Sequence, residues 1–194
     1  MDVTSQLYVE KIGQWHSWLE LHHLTEQEIW LIFDKKDSGG YQLDYIETVE
    51  EALCFGWVDG IKKKDGDRLL QRFTPRRTNS HWTELNKERV RRLMALGKMQ
   101  EQGIKVTPDL RVPFEIDHAI ITELKKDPDT YQFFRTLPEL YIRVRISYIQ
   151  ACKQDSPEYE KRLTKFLTYT AQRRLFGRYD DGGKLTGDYQ GDGR

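Results

Sequence analysis

The sequence has no long apolar run. No stretch approaches the roughly 20 residues of a membrane-spanning helix, so a helical membrane protein is not expected. Cysteine is scarce as well. Cys54 and Cys152 are the two present in 194 residues, with no CxxC spacing, so they read as reduced thiols of a cytoplasmic protein rather than a disulfide framework. The opening Met1-Asp2-Val3-Thr4 has neither a basic start nor an apolar core, so a secretory leader is not expected. Also missing are HExxH, zinc-type Cys/His spacing, a phosphate loop and a dinucleotide fingerprint. Neither a metal nor a cofactor is therefore expected. Formal net charge is zero, with 31 basic and 31 acidic side chains, which argues against a protein that coats nucleic acid non-specifically.

The zero total hides a segregation of charge. Residues 1–60 hold three basic and twelve acidic side chains, a balance of −9, whereas residues 61–92 hold eleven and four, a balance of +7. Such a chain is dipolar and carries one anion-attracting segment, unless the acidic half neutralises the basic half within the fold. Hydrophobic content of 38% and charged content of 32% describe a charge-rich globular protein, one domain with or without a helical appendage.

Apolar spacing predicts a helix over Leu7–His22, with Trp15 and Trp18 toward the core. The unbroken run Ile29-Trp30-Leu31-Ile32-Phe33 reads as a strand buried on both faces, within 28–35. Ser38-Gly39-Gly40 reads as a loop. Asp44 followed by Glu47 has the spacing of a helix start, and Gly56 stands where that helix should end. Two extended runs, 57–64 and 67–75, flank Asp65-Gly66, a pair suited to a type I′ hairpin turn. A helix over Trp82–Gln102 follows, and Gly103–Pro113 forms an internal boundary. Helices are then expected over 114–126, 128–134, 138–152 and from Pro157. The Gly- and Asp-rich run from Gly177 reads as a flexible tail.

The fold expected is α+β, a small antiparallel sheet with a β-hairpin packed against helices and then a helical C-terminal region. Its parts are an α+β region over 1–103, a helical region over 114–176 packed on it, and a tail over 177–194.

The chemistry concentrates in the middle. Arg72, Arg76 and Arg77 are the candidates for contact with an anion, because a guanidinium is a rigid donor fork matched to carboxylate or phosphate. The alternative is that they pair with the acidic N-terminal half. Thr78, Asn79 and Ser80 add neutral donors beside an expected helix N-terminus, itself favourable to anions. Trp57 and Trp82 either pack in the core or form an aromatic wall. Asp59 is a turn residue, a hydrogen-bond acceptor or a general base, and Asn86 completes the group. Nucleophilic catalysis has little support, since Cys54 falls beside Phe55 on a helix and His81 is merely adjacent to Ser80.

The run Glu50-Glu51-Ala52-Leu53-Cys54-Phe55-Gly56-Trp57-Val58-Asp59-Gly60, then Arg72-Phe73-Thr74-Pro75-Arg76-Arg77, then Ser80, Trp82 and Asn86, resembles the YdeI/OmpD-associated protein family. Phe134, Leu137, Pro138, Arg143, Arg145, Tyr148-Ile149, Lys153, Lys161-Arg162 and Thr170 resemble its second block. The chain departs from that family around Asp155-Ser156-Pro157 and in its Gly-rich tail. The resemblance implies a small bacterial protein of the bacteriocin-protection or stress-response kind, with no reaction attached. The expected function is accordingly non-catalytic binding or protection, with an anion-accepting surface at the hairpin. The expected partner is an anionic small molecule or a protein. A nucleic-acid-binding module and a small enzyme acting on an anionic metabolite are the alternatives.

Overall fold

The computed structural model describes residues 3–34 and 43–187. The Ser38-Gly39-Gly40 loop, Met1-Asp2 and the tail beyond residue 187 lie outside the described residues. The chain divides into two compact units. One comprises residues up to His81 together with Arg89–Pro108, the other Trp82–Glu88 together with the chain from Asp109. The break at Pro108 lies within the Gly103–Pro113 stretch.

The first unit is α+β. Its sheet has four strands, β1 (Gln6–Tyr8), β2 (Ile29–Phe33), β3 (Trp57–Asp65) and β4 (Arg68–Pro75), in the order β1-β2-β4-β3. The sheet is mixed rather than purely antiparallel, because β1 lies parallel to β2, with Leu7 opposite Leu31. This corrects the helix expected from Leu7. Helix α1 covers Ile12–His22, and its start is set by Gln14, whose side-chain oxygen accepts from the Glu10 amide at 2.7 Å and the Lys11 amide at 3.1 Å. Those two amides have no partner within the helix, so the turn before Ile12 cannot simply be extended.

Strand β2 is central, which is why its side chains are apolar on both faces. Trp30 and Ile32 cluster with Leu70 of β4 on one face. Ile29 and Leu31 are opposite Phe73 and Gln71 and so share the other face, where Trp15 of α1 lies 5.2 Å from Phe73 between ring centres. Trp15 also donates through Nε1 to the Thr48 carbonyl, tying α1 to α2 (Tyr45–Cys54). Each such buried aromatic removes some 150–250 Å² from water.

Helix α2 begins as its sequence signals. The Asp44 carboxylate accepts from the amides of Ile46 and Glu47. Gly56, at φ +76°, ends it. The expected 82–102 helix is in fact two, α3 (Glu84–Ala95) and α4 (Glu101–Val106). The break is a Gly97 cap at φ +65°, with the Gly97 amide on the Met94 carbonyl and the Lys98 amide on that of Leu93. Gly103 lies inside α4 and is a packing residue. A Cβ there would be 2.1 Å from the Cys54 carbonyl oxygen.

The second unit is helical, with α5 (His118–Leu124), α6 (Pro128–Phe134), α7 (Glu139–Gln150) and α8 (Ser156–Ala171). Asp117, Asp127 and Asp155 cap three of them through backbone amides, and Pro138 precedes α7 as its N-cap. Ile120, Leu124, Phe134, Tyr141, Leu163 and Phe166 are among its buried core residues. The segment after α8 folds back onto α7. The Phe176 amide donates to the Tyr141 hydroxyl, Tyr179 meets the Tyr141 ring edge-on, and Leu185 is buried with Leu140 and Val144. Up to residue 187 this is docked chain, where composition alone reads a flexible tail.

Candidate functional site

The hairpin that carries the basic segment is built around two irregularities. Asp65 pairs with Arg68, so the turn residues are Gly66-Asp67 rather than Asp65-Gly66. Only Gly66 of the two has positive φ, +56°, the pattern of a turn with glycine at its first central position rather than of type I′. Farther along, Asp59 pairs with Phe73 while Lys62 pairs with Gln71, so Gly60 and Ile61 together face Arg72. This is a β-bulge, which re-aims the side chains beyond it. Gln71, fully buried, fills the gap in the ladder. Its Nε2 donates to the carbonyls of Gly60 at 2.9 Å, Ile61 at 3.4 Å and Arg72 at 3.1 Å.

Around the bulge the side chains form a mixed-charge cluster. The Tyr45 hydroxyl donates to the Asp59 carboxylate, and Lys62 Nζ lies 3.9 Å from the centre of the Tyr45 ring. Burial, and then the bond to Asp59, push the Tyr45 hydroxyl far above the ordinary tyrosine range, so it stays a donor. Arg76 is buried at 6% exposure, and its Nη1 donates to Ser80 Oγ at 3.2 Å and to the His81 carbonyl at 3.0 Å. Burial lowers the Arg76 guanidinium to about 10, partly offset by the charge of Asp59. It therefore remains a cation at neutral pH, desolvated and held in place.

The three arginines occupy three environments. Arg72 is engaged internally by Glu28, its Nε donating to Oε2 at 2.6 Å. Glu28 is held below the usual carboxylate range by its bond from Thr4 and then by Arg72. Arg76 is buried, and Arg77 is exposed, beside the exposed Thr78 and Asn79. The expected helix start lies later in the chain than Trp82. Helix α3 starts at Glu84, whose carboxylate is taken by Lys87 and Arg143 in the second unit.

The aromatic candidates are core. Trp57 is fully buried, donates to the His23 carbonyl and meets Trp18 edge-on. Trp82 and Asn86 are buried at 7% each and belong to the second unit. Of the expected site residues, Asp59, Arg76 and Ser80 stand together with the loop that bears Arg77. The sequence reading omitted Tyr45, Gln71 and Glu28. The capping signal at Asp44 draws attention to the start of α2 but gives no hint that Tyr45 meets Asp59.

Chemically the cluster can hold charge and accept or donate hydrogen bonds. The Cys54 thiol, at the end of α2, is not activated: burial and the neighbouring Glu51 and Glu50 push it up to about 12. Among the described residues no group of three or more His, Cys, Asp or Glu could hold a metal ion, and no helix is long and apolar enough to cross a membrane.

The geometry defines an α+β protein with a bulged, cation-rich hairpin at the edge of its sheet. The chain belongs to a family described as a domain of unknown function, DUF8412, whose model matches residues 7–106, from β1 through α4. No curated protein and no solved structure matches the chain.

Proposed function

We propose that this is a non-catalytic binding protein whose hairpin end, at Arg76 and Arg77, accepts an anion, either a small molecule or an acidic group on a protein partner. The observation that carries the reading is the environment of Arg76: a desolvated guanidinium fixed by Ser80 and the His81 carbonyl, with exposed Arg77 next in the chain. A fixed cation binds an anion at lower entropic cost than one on a mobile side chain. The resemblance to the YdeI/OmpD-associated family supports a cytoplasmic protein of the protective kind and adds no reaction. The burial of Trp57 weighs against the nucleic-acid alternative, since single-stranded binding relies on exposed rings for base stacking. The high thiol value of Cys54 weighs against a nucleophilic enzyme.

The test is a titration of the full chain with phosphate, sulfate, a short acidic peptide and an oligonucleotide, read by the backbone amide signals of residues 76–80. Arg77→Ala should abolish the response while changing stability by no more than about 0.5 kcal/mol, as for surface substitutions. Arg76→Ala should also abolish it, at a cost of about 3 kcal/mol, because charge-assisted bonds are lost in a buried place. No response at 76–80 to any of the probes overturns the proposal. A response to the oligonucleotide with a log–log salt slope of about −2 to −3 replaces it with the nucleic-acid reading.

A further inference from the structure

The second unit holds a cavity of about 520 Å³ between α7, α8 and the segment that follows α8. That volume lies within the usual range for small-molecule sites. Its charged lining is Arg145 from α7, Lys161, Arg162, Lys165 and Glu158 from α8: four cations and one carboxylate, a net +3. Glu158 is already shared, at 2.8 Å from Arg162 and 3.4 Å from Lys161. Among the described residues no carboxylate pairs with Arg145 or Lys165. Instead both are held on one ring, the Arg145 guanidinium 5.3 Å and Lys165 Nζ 5.0 Å from the centre of Phe176. A ring quadrupole fixes a cation without cancelling its charge.

Arg162 is held by Glu158 and by the Tyr148 carbonyl, whereas Arg145 is held without a carboxylate. Its Nη2 donates to the Arg178 carbonyl, and its buried Nε has no hydrogen-bond acceptor among the described residues. Burial lowers its hold on the proton, as expected for a cation that lacks a counter-ion. The backbone passes directly over it at Gly177, φ +69°, where a Cβ would stand 2.7 Å from Nη1. The chain thus keeps an uncompensated guanidinium in a fixed place and lines the adjacent cavity with further cations.

We propose that this cavity is a second, separate anion site, for a small molecule bearing a phosphomonoester. A lining of net +3 is better matched by a dianion than by a single carboxylate, and a terminal phosphate offers three oxygens to the Arg145 and lysine donors. The site shares no residue with the hairpin and does not depend on it.

The experiment titrates the full chain with inorganic phosphate, AMP and adenosine, following binding by calorimetry and location by the backbone amide signals of residues 174–178. Phosphate and AMP should move those signals, and adenosine should not. Lys161→Gln/Lys165→Gln, at two exposed positions, should keep the parent's melting temperature and weaken AMP by about tenfold per cation removed, about a hundredfold in all. Gly177→Ala, which displaces the guanidinium, should weaken it independently. Equal binding by the double variant, absence of any response at 174–178 well above millimolar phosphate and AMP, or adenosine binding as tightly as AMP would each overturn the proposal. Signals moving at 76–80 report on the hairpin instead, so the two sites fail separately.

Discussion

Asp59 and Lys62 are three residues apart on β3, yet both meet Tyr45, one at its hydroxyl and the other over its ring. In an unbroken strand, residues at that spacing point to opposite faces. The extra residue at Gly60-Ile61 brings Lys62 back to the face of Asp59. Lys62 thus joins the cluster because the ladder is interrupted, and the interruption is satisfied by one buried side chain, Gln71.

That dependence makes Gln71 a sharp test of the hairpin. Gln71→Ala removes the donor to the Gly60, Ile61 and Arg72 carbonyls, and Gln71→Leu keeps the volume without the donor. Both should destabilise by about 1–3 kcal/mol, the cost of leaving buried acceptors unmet. Urea unfolding of the two variants measures it. A near-neutral Gln71→Leu would mean that water meets those carbonyls equally well.

The Arg72–Glu28 pair predicts a pH dependence. Glu28 has its folded value lowered below the ordinary 4.5 by Thr4 and Arg72, so the folded protein binds its proton less readily than the unfolded chain does. The resulting stability is fully present above about pH 4.5 and is lost as pH falls through the lowered folded value. Glu28→Gln should therefore lose less stability between pH 7 and pH 3 than the parent, measured by urea midpoints at both. Identical losses would show that the pair contributes nothing to acid sensitivity.

Gly103 should tolerate no side chain. With a Cβ 2.1 Å from the Cys54 carbonyl oxygen and 2.8 Å from that of Leu53, Gly103→Ala must separate α4 from the end of α2. Backbone cannot yield as a flexible side chain can, so a loss of about 3 kcal/mol or misfolding is expected. Gly13, with nothing within 4 Å of its Cβ position, is the matched control, and Gly13→Ala should be neutral or stabilising.

Removing the chain after Gly177 should lower the melting temperature by several degrees. The deletion takes away Tyr179 from Tyr141, Arg178 from Arg145 and the buried Leu185 from Leu140 and Val144. Burial of one leucine alone is worth about 1.5–3 kcal/mol. Leu185→Ala should reproduce much of the effect, and an unchanged melting temperature in both would show the segment to be dispensable.

What the sequence conveyed and what it hid divide along one physical line. Asp44, Gly56 and the prolines near α6 to α8 act through their own neighbours in the chain, so their elements could be read directly. Gln6-Leu7-Tyr8 is only three residues of strand, and its apolar members also fit the first turn of an amphipathic helix; its parallel partner is about 24 residues away. Asp65-Gly66 is a common hairpin signal, whereas the register of Asp65 with Arg68 makes Gly66-Asp67 the turn, one residue on. The Tyr45–Asp59 contact joins residues 14 apart through packing, and the approach of Lys62 to Tyr45 depends on a bulge, so neither leaves a mark on local periodicity. Leu185 is a single apolar residue in a Gly-rich run, too slight a signal to oppose its surroundings.

The strand order carries a consequence for how the molecule assembles. Strands β3 and β4 join across two residues, whereas β2 must close a loop of about 35 residues or more to reach β4. Short closures are fast and long ones slower, so the hairpin is the natural nucleus of the sheet. Gln71 belongs to that nucleus through its bonds across the hairpin. Its removal should therefore slow refolding more than it speeds unfolding.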